Sequence, residues 1–338
     1  MKTKNFHICS LNCQGLARKE KRFRLFSWFQ QQKCDILMAQ ETHLSKDLIK
    51  QINNEFHGKH LHSLGTTNSR GVSYFINKSL DFKLINEFCD KEGRIIIINI
   101  EIQDKIFTLV NLYAPNEVHA RNQFYKKVSK LIEEHTLGAL IVGGDMNDLL
   151  SALDTKNNKL HKKLKKPVNG LKQLIKTHKL IDIWRQLNKD KKQFTWKRKN
   201  STNEASRIDF FIICTQARLS TVSADIRPAQ ISFTDHQAIS LKLDIYANNR
   251  GKGYFKMNNS ILTDTQYNKL INKLIEKYEQ NFNLTNVLNQ WDLLKTDIRE
   301  STIQYCKSKA RERKNNILIM ENKLNLLNER LDKLPDRK

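Results

Sequence analysis

A layered α/β fold, two packed β-sheets flanked by helices and followed by a helical C-terminal extension, is what this 338-residue sequence predicts. Three observations lead there. Short apolar runs alternate with amphipathic stretches from Phe6 to about Ile245, strand-like runs outnumber helix-like ones, and beyond Asn248–Gly253 (NNRGKG) the pattern turns helical and strand-poor. Strands that follow one another directly favour antiparallel pairing in stacked sheets over a purely doubly wound sheet. A hydrophobic content of 39% supplies the core of one large domain with a smaller appendage.

The strands are read, in order, from FHICSL at Phe6, DILMAQ ending at Gln40, GVSYFI ending at Ile76, RIIIINIEI ending at Ile102, KIFTLVNLY ending at Tyr113, GALIVG beginning at Gly138, RIDFFII beginning at Arg207 and AISLKLDI ending at Ile245. Helices are expected at Arg18–Gln32, Ala120–His135 and Val168–His178, the last following Pro167. The boundary falls at 246/247. Past it, Tyr267, Leu270, Ile271, Leu274, Ile275 and Tyr278 form one apolar stripe that Asp264 is placed to cap. A second helix carries Leu288, Trp291, Leu294 and Ile298. Ile317, Met320, Leu324, Leu327, Leu331 and Leu334 then recur at alternating three and four residues, a short coiled-coil-like seam suited to packing on a further element.

Charge narrows the partner. With 59 Lys and Arg against 35 Asp and Glu, the formal net charge is +24, far more than solubility requires. A polyanion is expected. No apolar stretch is long enough to span a bilayer and neither terminus carries a lipidation signature, so nucleic acid is expected and membrane is not. The start, MKTKNFHICSLNCQGL, lacks the apolar core of a signal peptide. The six cysteines show neither CxxC pairing nor zinc-finger spacing and are expected to be reduced, mostly buried thiols.

Where the polar residues sit is more telling. The first strand runs into Asn12, the second into Glu41, the KIFTLVNL run into Tyr113, and GALIVGG into Asp145 and Asn147. Strand ends on one side of a sheet can gather such side chains into a single site. Further on, Asp209 opens a strand and Thr234-Asp235-His236 precedes another; Asp209 is placed to hold an imidazole while Asp235 faces a metal and His236 a phosphate. The set is rich in oxygen and poor in sulfur and imidazole, which suits Mg²⁺ or Mn²⁺ better than zinc. Each member alone reads more readily as a turn or a helix cap. The ordered set does not.

LNCQG, QETHL, NLYAPN, GGDMND, SRIDF and TDH, in this order, resemble the successive motifs of the endonuclease/exonuclease/phosphatase superfamily, over Asn5 to about Ile245. Within it, the wording of QETHL, NLYAPN and GGDMN, with GYFKMNNSIL at Gly253–Leu262, is most similar to LINE-type (non-LTR) retrotransposon endonucleases. The resemblance implies a four-layer α/β sandwich with two mostly antiparallel sheets. It implies a catalytic domain at 1–246 and, at 247–338, a helical linker like the segment before a reverse transcriptase. The implied activity is Mg²⁺-dependent (Mn²⁺ possible) nicking of target DNA for target-primed reverse transcription. The element's RNA is a further partner and the nucleus the expected location.

Residue by residue, the resemblance makes Glu41 the principal metal ligand, with Asn12 beside it and Asp235 across the cation. Asp145 orients or deprotonates the attacking water, Asn147 holds the scissile phosphate, Tyr113 and His236 donate to phosphate oxygens, and Asp209 orients His236. Thr195 matches a threonine near the bound phosphodiester. Thr234 replaces the Ser usual before the Asp-His pair and keeps its hydroxyl. DNA contacts are expected from Lys162 and Lys163 in a lysine-rich segment, and from Lys197, Arg198 and Lys199, which begin a hairpin probing the groove. Two other readings stay open: a phosphoesterase of the same superfamily acting on another phosphodiester or phosphomonoester, and a decayed fragment that binds nucleic acid without cutting it.

Overall fold

The computed structural model describes residues 5–156, 170–198, 204–228, 234–245, 257–280 and 287–331. It divides into two compact units, Met1–Asn248 and Asn249–Lys338. The first unit begins with β1 (Phe6–Asn12), α1 (Lys19–Gln31), β2 (Ile36–Gln40), α2 (Lys46–Glu55), β3 (Lys59–Ser63) and β4 (Val72–Ile76). It continues with β5 (Lys83–Cys89), β6 (Ile95–Ile102), β7 (Lys105–Tyr113), α3 (Val118–His135), β8 (Ala139–Asp145), α4 (Gly170–Thr177), β9 (Ile181–Asp182) and α5 (Ile183–Leu187). It closes with β10 (Trp196–Lys197), β11 (Ala205–Ser206), β12 (Asp209–Ile213), α6 (Thr215–Leu219), β13 (Thr221–Arg227) and β14 (Ala238–Leu243).

Two six-stranded sheets result, in the orders β13-β14-β1-β2-β4-β3 and β5-β6-β7-β8-β12-β9. Each contains one parallel pair, β1 with β2 and β7 with β8, connected through α1 and α3 respectively; the other pairings are antiparallel. The sheets stack face to face, with helices outside both. Alternation within the strands explains this: Phe6, Ile8, Ile96, Ile98, Ile141 and Phe211 fill the space between the sheets. Their neighbours Cys9, Leu11, Leu37 and Ala39 turn outward to Phe26, Phe29 and Ile52 of α1 and α2. On the other side Ile97, Val110 and Val142 meet Phe124, Val128 and Leu171 of α3 and α4. Strands covered on both faces read as continuous apolar runs, and each fully buried Ile or Phe contributes roughly 1.5–3 kcal/mol. This is the four-layer sandwich expected.

All the expected strands form. Of the additional strands, β3, β5, β9 and β13 lie at the outer edges of the two sheets, and β10 and β11 form a separate two-stranded ribbon. Among the helices, α2, α5 and α6 are additional; Ser45 caps α2, its hydroxyl accepting from the Leu48 amide at 3.3 Å. The expected helix at Val168–His178 is described from Gly170 onward. One correction concerns sulfur: Cys9 and Cys34 form a disulfide, and of the other cysteines only Cys13 is buried, Cys214 being half-buried and Cys89 and Cys306 exposed. Sequence separation hid the pair, because β1 and the start of β2 become neighbours only in the parallel pairing.

The second unit pairs α7 (Thr265–Gln280) with α8 (Val287–Leu331). Asp264 caps α7 as expected, its Oδ1 accepting from the Gln266 amide at 3.0 Å. The two stretches read as separate apolar segments are instead one continuous helix, α8. Tyr267 Oη meets Thr302 Oγ1 at 2.7 Å, and Tyr305 Oη donates to Asp264 Oδ2 at 2.8 Å. Ile317, Met320, Leu324 and Leu327 are exposed, Leu334 lies outside the described residues, and no described helix is long and apolar enough to cross a membrane.

Candidate active site

The parallel pairs bring the polar strand ends level. Asn12 stands opposite Gln40, whose successor is Glu41, and Tyr113 stands opposite Asp145. The antiparallel neighbour sets Asp209 opposite Asp145. As the chain leaves these strands it takes left-handed backbone at Gln14, Glu41 and Asn147, with φ of 47°, 47° and 46°. Such backbone is uncommon for residues other than glycine and costs on the order of 1 kcal/mol or more each. It turns the side chains back over the strand ends.

Asn12 is the hub. Its Nδ2 donates to Glu41 Oε1 at 3.0 Å and to Asp145 Oδ2 at 2.9 Å, while its Oδ1 accepts from the Gln14 amide at 3.0 Å. The remaining Asp145 oxygen accepts from the Asn147 amide at 2.9 Å, and Asn147 Nδ2 donates to the Ala114 carbonyl at 2.8 Å. Tyr113 hydrogen-bonds to Glu41, and the Arg94 guanidinium lies 5.2 Å from its ring centroid. On the far side His236 Nδ1 is 3.0 Å from Asp209 Oδ2, so Nε2 faces inward, 4.0 Å from Asp145 Oδ2 and 3.8 Å from Asp235 Oδ1.

Electrostatics follow from burial. Asp145 is 1% exposed and lies close to Asp209 as well as His236, so burial and the Asp209 carboxylate push its carboxyl well above the usual range. Burial would depress His236, yet the carboxylates of Asp209, Asp145 and Asp235 override it and raise the imidazole to about 9. Burial and Glu41 keep Tyr113 protonated far beyond neutral pH. Four acids (Glu41, Asp145, Asp209 and Asp235) thus face one imidazolium, an excess of negative charge in a largely dry site.

Those oxygen donors fit a hard divalent cation. Ligand atoms of Asp145, Asp209 and His236 lie within 4.8 Å of one another, but the Asp209 carboxylate is engaged with the imidazole; Glu41 is the more accessible acid for an ion, and Asn12 Oδ1, which accepts from the Gln14 amide, keeps a second lone pair. Of the three expected ligands, Asn12 and Glu41 touch. Asp235 joins them indirectly: its oxygens accept from Gln14 Nε2 at 2.5 Å and Trp196 Nε1 at 3.1 Å, and Thr234 Oγ1 donates to the Asn12 carbonyl at 2.8 Å.

Thr195 is fully buried, and its hydroxyl accepts from the amides of Ile208 and Asp209 at 3.0 and 3.1 Å. It therefore aims Asp209 rather than presenting a surface to DNA. Lys197 ends β10 of the two-stranded ribbon β10/β11, its amide donating to the Asp235 carbonyl at 3.3 Å, and Arg198 follows it. Arg198 is paired with Glu204 at 2.8 Å. Lys162, Lys163 and Lys199 lie outside the described residues.

Sequence reading passed over several contributors. Gln14, inside LNCQG, holds Asp235 with its side chain, Nε2 donating to the Asp235 carboxylate and Oε1 accepting from the Asp235 amide. His43, inside QETHL, places Nε2 at 3.9 Å from Glu41 Oε2. Arg207, 1% exposed, bonds Asp154 at 2.8 Å and Asp182 at 2.6 Å two residues before Asp209. An arginine inside an apolar strand start was the available signal.

Comparison with known proteins places the chain in a family and shows the same fold in solved structures. The sequence model of the Endonuclease/Exonuclease/phosphatase family matches residues 9–236. A Xenopus laevis protein, the transposon TX1 uncharacterized 149 kDa protein, is 27% identical over 333 residues, covering 98% of this chain; the chain spans 25% of that protein's length. Similar solved structures include an AP endonuclease from Archaeoglobus fulgidus (19% identity, TM-score 0.57, 71% of this chain and 100% of that one). The Xenopus laevis APE2 catalytic domain is another (20% identity, TM-score 0.55, 70% and 91%). The AP endonuclease LMAP from Leishmania major is a third (14% identity, TM-score 0.56, 71% and 88%).

Proposed function

Because the chain belongs to the endonuclease/exonuclease/phosphatase family, we propose that its first unit is a divalent-metal-dependent endonuclease that nicks DNA for a LINE-type retrotransposon. The observation that carries this reading is the placing of Asn12 Nδ2 between Glu41 and Asp145, opposite the Asp209–His236 pair. On this reading the His236 imidazole and the Asp145 carboxyl, 4.0 Å apart, both face the scissile phosphodiester.

Phosphodiester hydrolysis needs a positioned water, neutralisation of the charge that grows on the phosphate, and a route for the proton. Asp145, whose raised affinity for protons suits a base, orients the water and takes its proton. Asn147 holds the phosphate. His236, kept protonated by Asp209 and its neighbours, donates from Nε2 to a phosphate oxygen, and Tyr113 donates from its hydroxyl. Bound Mg²⁺ or Mn²⁺, held by Glu41 and Asn12 with Asp235, would supply neutralising charge at the scissile phosphate. The net charge of +24 favours nucleic acid over small phosphoesters.

The match to the transposon protein extends through both units, which supports a retrotransposon role over that of a cellular enzyme limited to the first. On this reading the second unit links the nuclease to a reverse transcriptase module, the element's RNA is a partner, and the nucleus is the place of action. Relaxation of supercoiled plasmid with Mg²⁺ is the test: nicked circles should appear with Mg²⁺ or Mn²⁺ and be absent in EDTA. Full nicking in EDTA, or none with any divalent ion, would overturn the proposal.

A further inference from the structure

Away from the strand ends, on the outward face of the β1 sheet, His7, Cys9 and Cys34 converge. All three are at most 3% exposed, and His7 Nε2 lies 3.5 Å from both Cys9 Sγ and Cys34 Sγ. The imidazole is also hydrogen-bonded to the Lys33 backbone. With Nε2 turned to the sulfurs, that bond falls to Nδ1–H and the Lys33 carbonyl. The resulting tautomer presents the Nε2 lone pair to the sulfurs, as second-shell carbonyls do for metal-bound histidines.

Distance supports the same conclusion. Zinc bonds of about 2.3 Å to sulfur and about 2.0–2.1 Å to nitrogen, at a tetrahedral angle, set sulfur and nitrogen about 3.5 Å apart. A fourth donor is at hand. Ser240 stands directly opposite Cys9 in the antiparallel β1/β14 pairing, hence on the same face; it is 3% exposed and its Oγ has no hydrogen-bond partner among the described residues. A buried hydroxyl without a partner is costly unless something occupies its lone pairs.

We propose that, in its dithiol state, the protein binds one Zn²⁺ through Cys9 Sγ, Cys34 Sγ and His7 Nε2, with Ser240 Oγ at the fourth position. Uptake releases two protons, one from each thiol, so two thiolates balance the dication. The Cys9–Cys34 disulfide is the alternative, metal-free state of the same pair. A phosphine converts it to the dithiol, the phosphine taking an oxygen from water as the two sulfurs take its electrons and the water protons. The ion would fasten β1, which ends in Asn12, to the turn that leads into β2 and Glu41. It is distinct from the oxygen-rich site at the strand ends and does not depend on the function proposed for it.

The test uses the whole chain, stripped of metal and reduced with a phosphine under argon, and titrated with Co²⁺ as a spectroscopic stand-in and then with Zn²⁺. Cobalt at the strand-end site has oxygen and nitrogen donors and gives no sulfur-to-cobalt charge-transfer absorption, and the Cys9 and Cys34 variants separate this site from the free thiols Cys13, Cys89, Cys214 and Cys306. One equivalent of such absorption is expected, displaced by Zn²⁺, absent in Cys9→Ser and Cys34→Ser, and requiring about tenfold or more additional metal in His7→Gln. Should the variants not fold, the alkylation rate of the reduced wild-type protein decides: because both thiols are buried, Zn²⁺ must slow the labelling of Cys9 and Cys34, mapped by mass spectrometry, relative to the metal-free reduced protein. No thiolate absorption in the reduced wild type, absorption that survives both cysteine variants, no shielding, or a disulfide that phosphine cannot open in the native protein would each overturn the proposal.

Discussion

Gln40 Nε2 donates to Asn111 Oδ1 at 2.7 Å across the space between the two sheets, and neither residue is exposed to solvent. Asn111 Nδ2 in turn donates to the carbonyls of Ala39 and Ser73 at 3.2 and 2.9 Å, while Gln40 also reaches Ser10 Oγ at 3.0 Å. A polar strut thus crosses an otherwise apolar layer. One end precedes Glu41 by a single residue and the other precedes Tyr113 by two.

Cutting that strut should cost both stability and rate. Asn111→Leu takes the Asn111 contact from the Gln40 amide, which keeps Ser10 Oγ and the Met38 carbonyl, and removes a donor from the Ala39 and Ser73 carbonyls, so denaturant unfolding should report a loss of about 1–3 kcal/mol. Nicking should fall as the Glu41 and Tyr113 ends lose their common anchor. Unchanged denaturation midpoint and unchanged rate would show that the strut aligns nothing.

The pH dependence of stability should carry the signature of His236. Its folded-state value, raised to about 9 from an ordinary 6.5, means the native state holds that proton more tightly than the unfolded chain does. The associated stabilisation is full below about 6.5 and is lost as pH rises through about 9. Urea unfolding of the metal-free protein between pH 6 and 10 should therefore show a decline that His236→Asn flattens. Equal slopes in the two proteins would mean the imidazole is neutral in the fold.

Why the sequence disclosed some parts and hid others has a physical basis. Strands covered on both faces, such as Ile95–Ile102, announce themselves as unbroken apolar runs, whereas the edge strand Lys83–Cys89 pairs on one side and carries Lys83, Asn86 and Glu87 among its residues. The site was legible because its members terminate those buried strands and share level ends. Gln14 and Arg207 were not, since their roles come from partners remote in sequence, Asp235 for one and Asp154 with Asp182 for the other. The single long α8 was read in pieces because its apolar positions shift around the helix between Ile298 and Ile317.

Asp145→Asn separates chemistry from architecture. The native carboxyl is buried beside Asp209 and is held above its usual range by both, so a neutral amide removes an electrostatic penalty. Thermal unfolding should not fall, while nicking drops at least about a hundredfold with the loss of the base. His236→Ala and Asn147→Ala should lose activity on a similar scale through loss of charge stabilisation. Unfolding of all three variants, with activity per folded molecule retained, would return these residues to a structural role.

The ribbon β10/β11 should govern where the enzyme cuts more than how fast. Its base is tied to the site, because Trp196 Nε1 donates to Asp235 Oδ2 and the Lys197 amide to the Asp235 carbonyl, whereas the Lys197 and Arg198 side chains supply no catalytic group. Cationic contacts to phosphate fix position on the duplex, and groove shape then selects the site. Replacing Lys197, Arg198 and Lys199 by alanine should weaken binding, flatten the dependence of log Kd on log salt by up to about three, and redistribute nicks, with the rate on bound DNA retained. Arg198 already spends its charge partly on Glu204, so Glu204→Gln should act in the opposite direction, tightening binding and steepening the salt dependence by up to about one. Nick mapping on one plasmid at two salt concentrations reads all of these effects. A triple variant with the parental pattern and slope would place the DNA contact elsewhere, with the lysine-rich segment around Lys162 and Lys163 the next to replace.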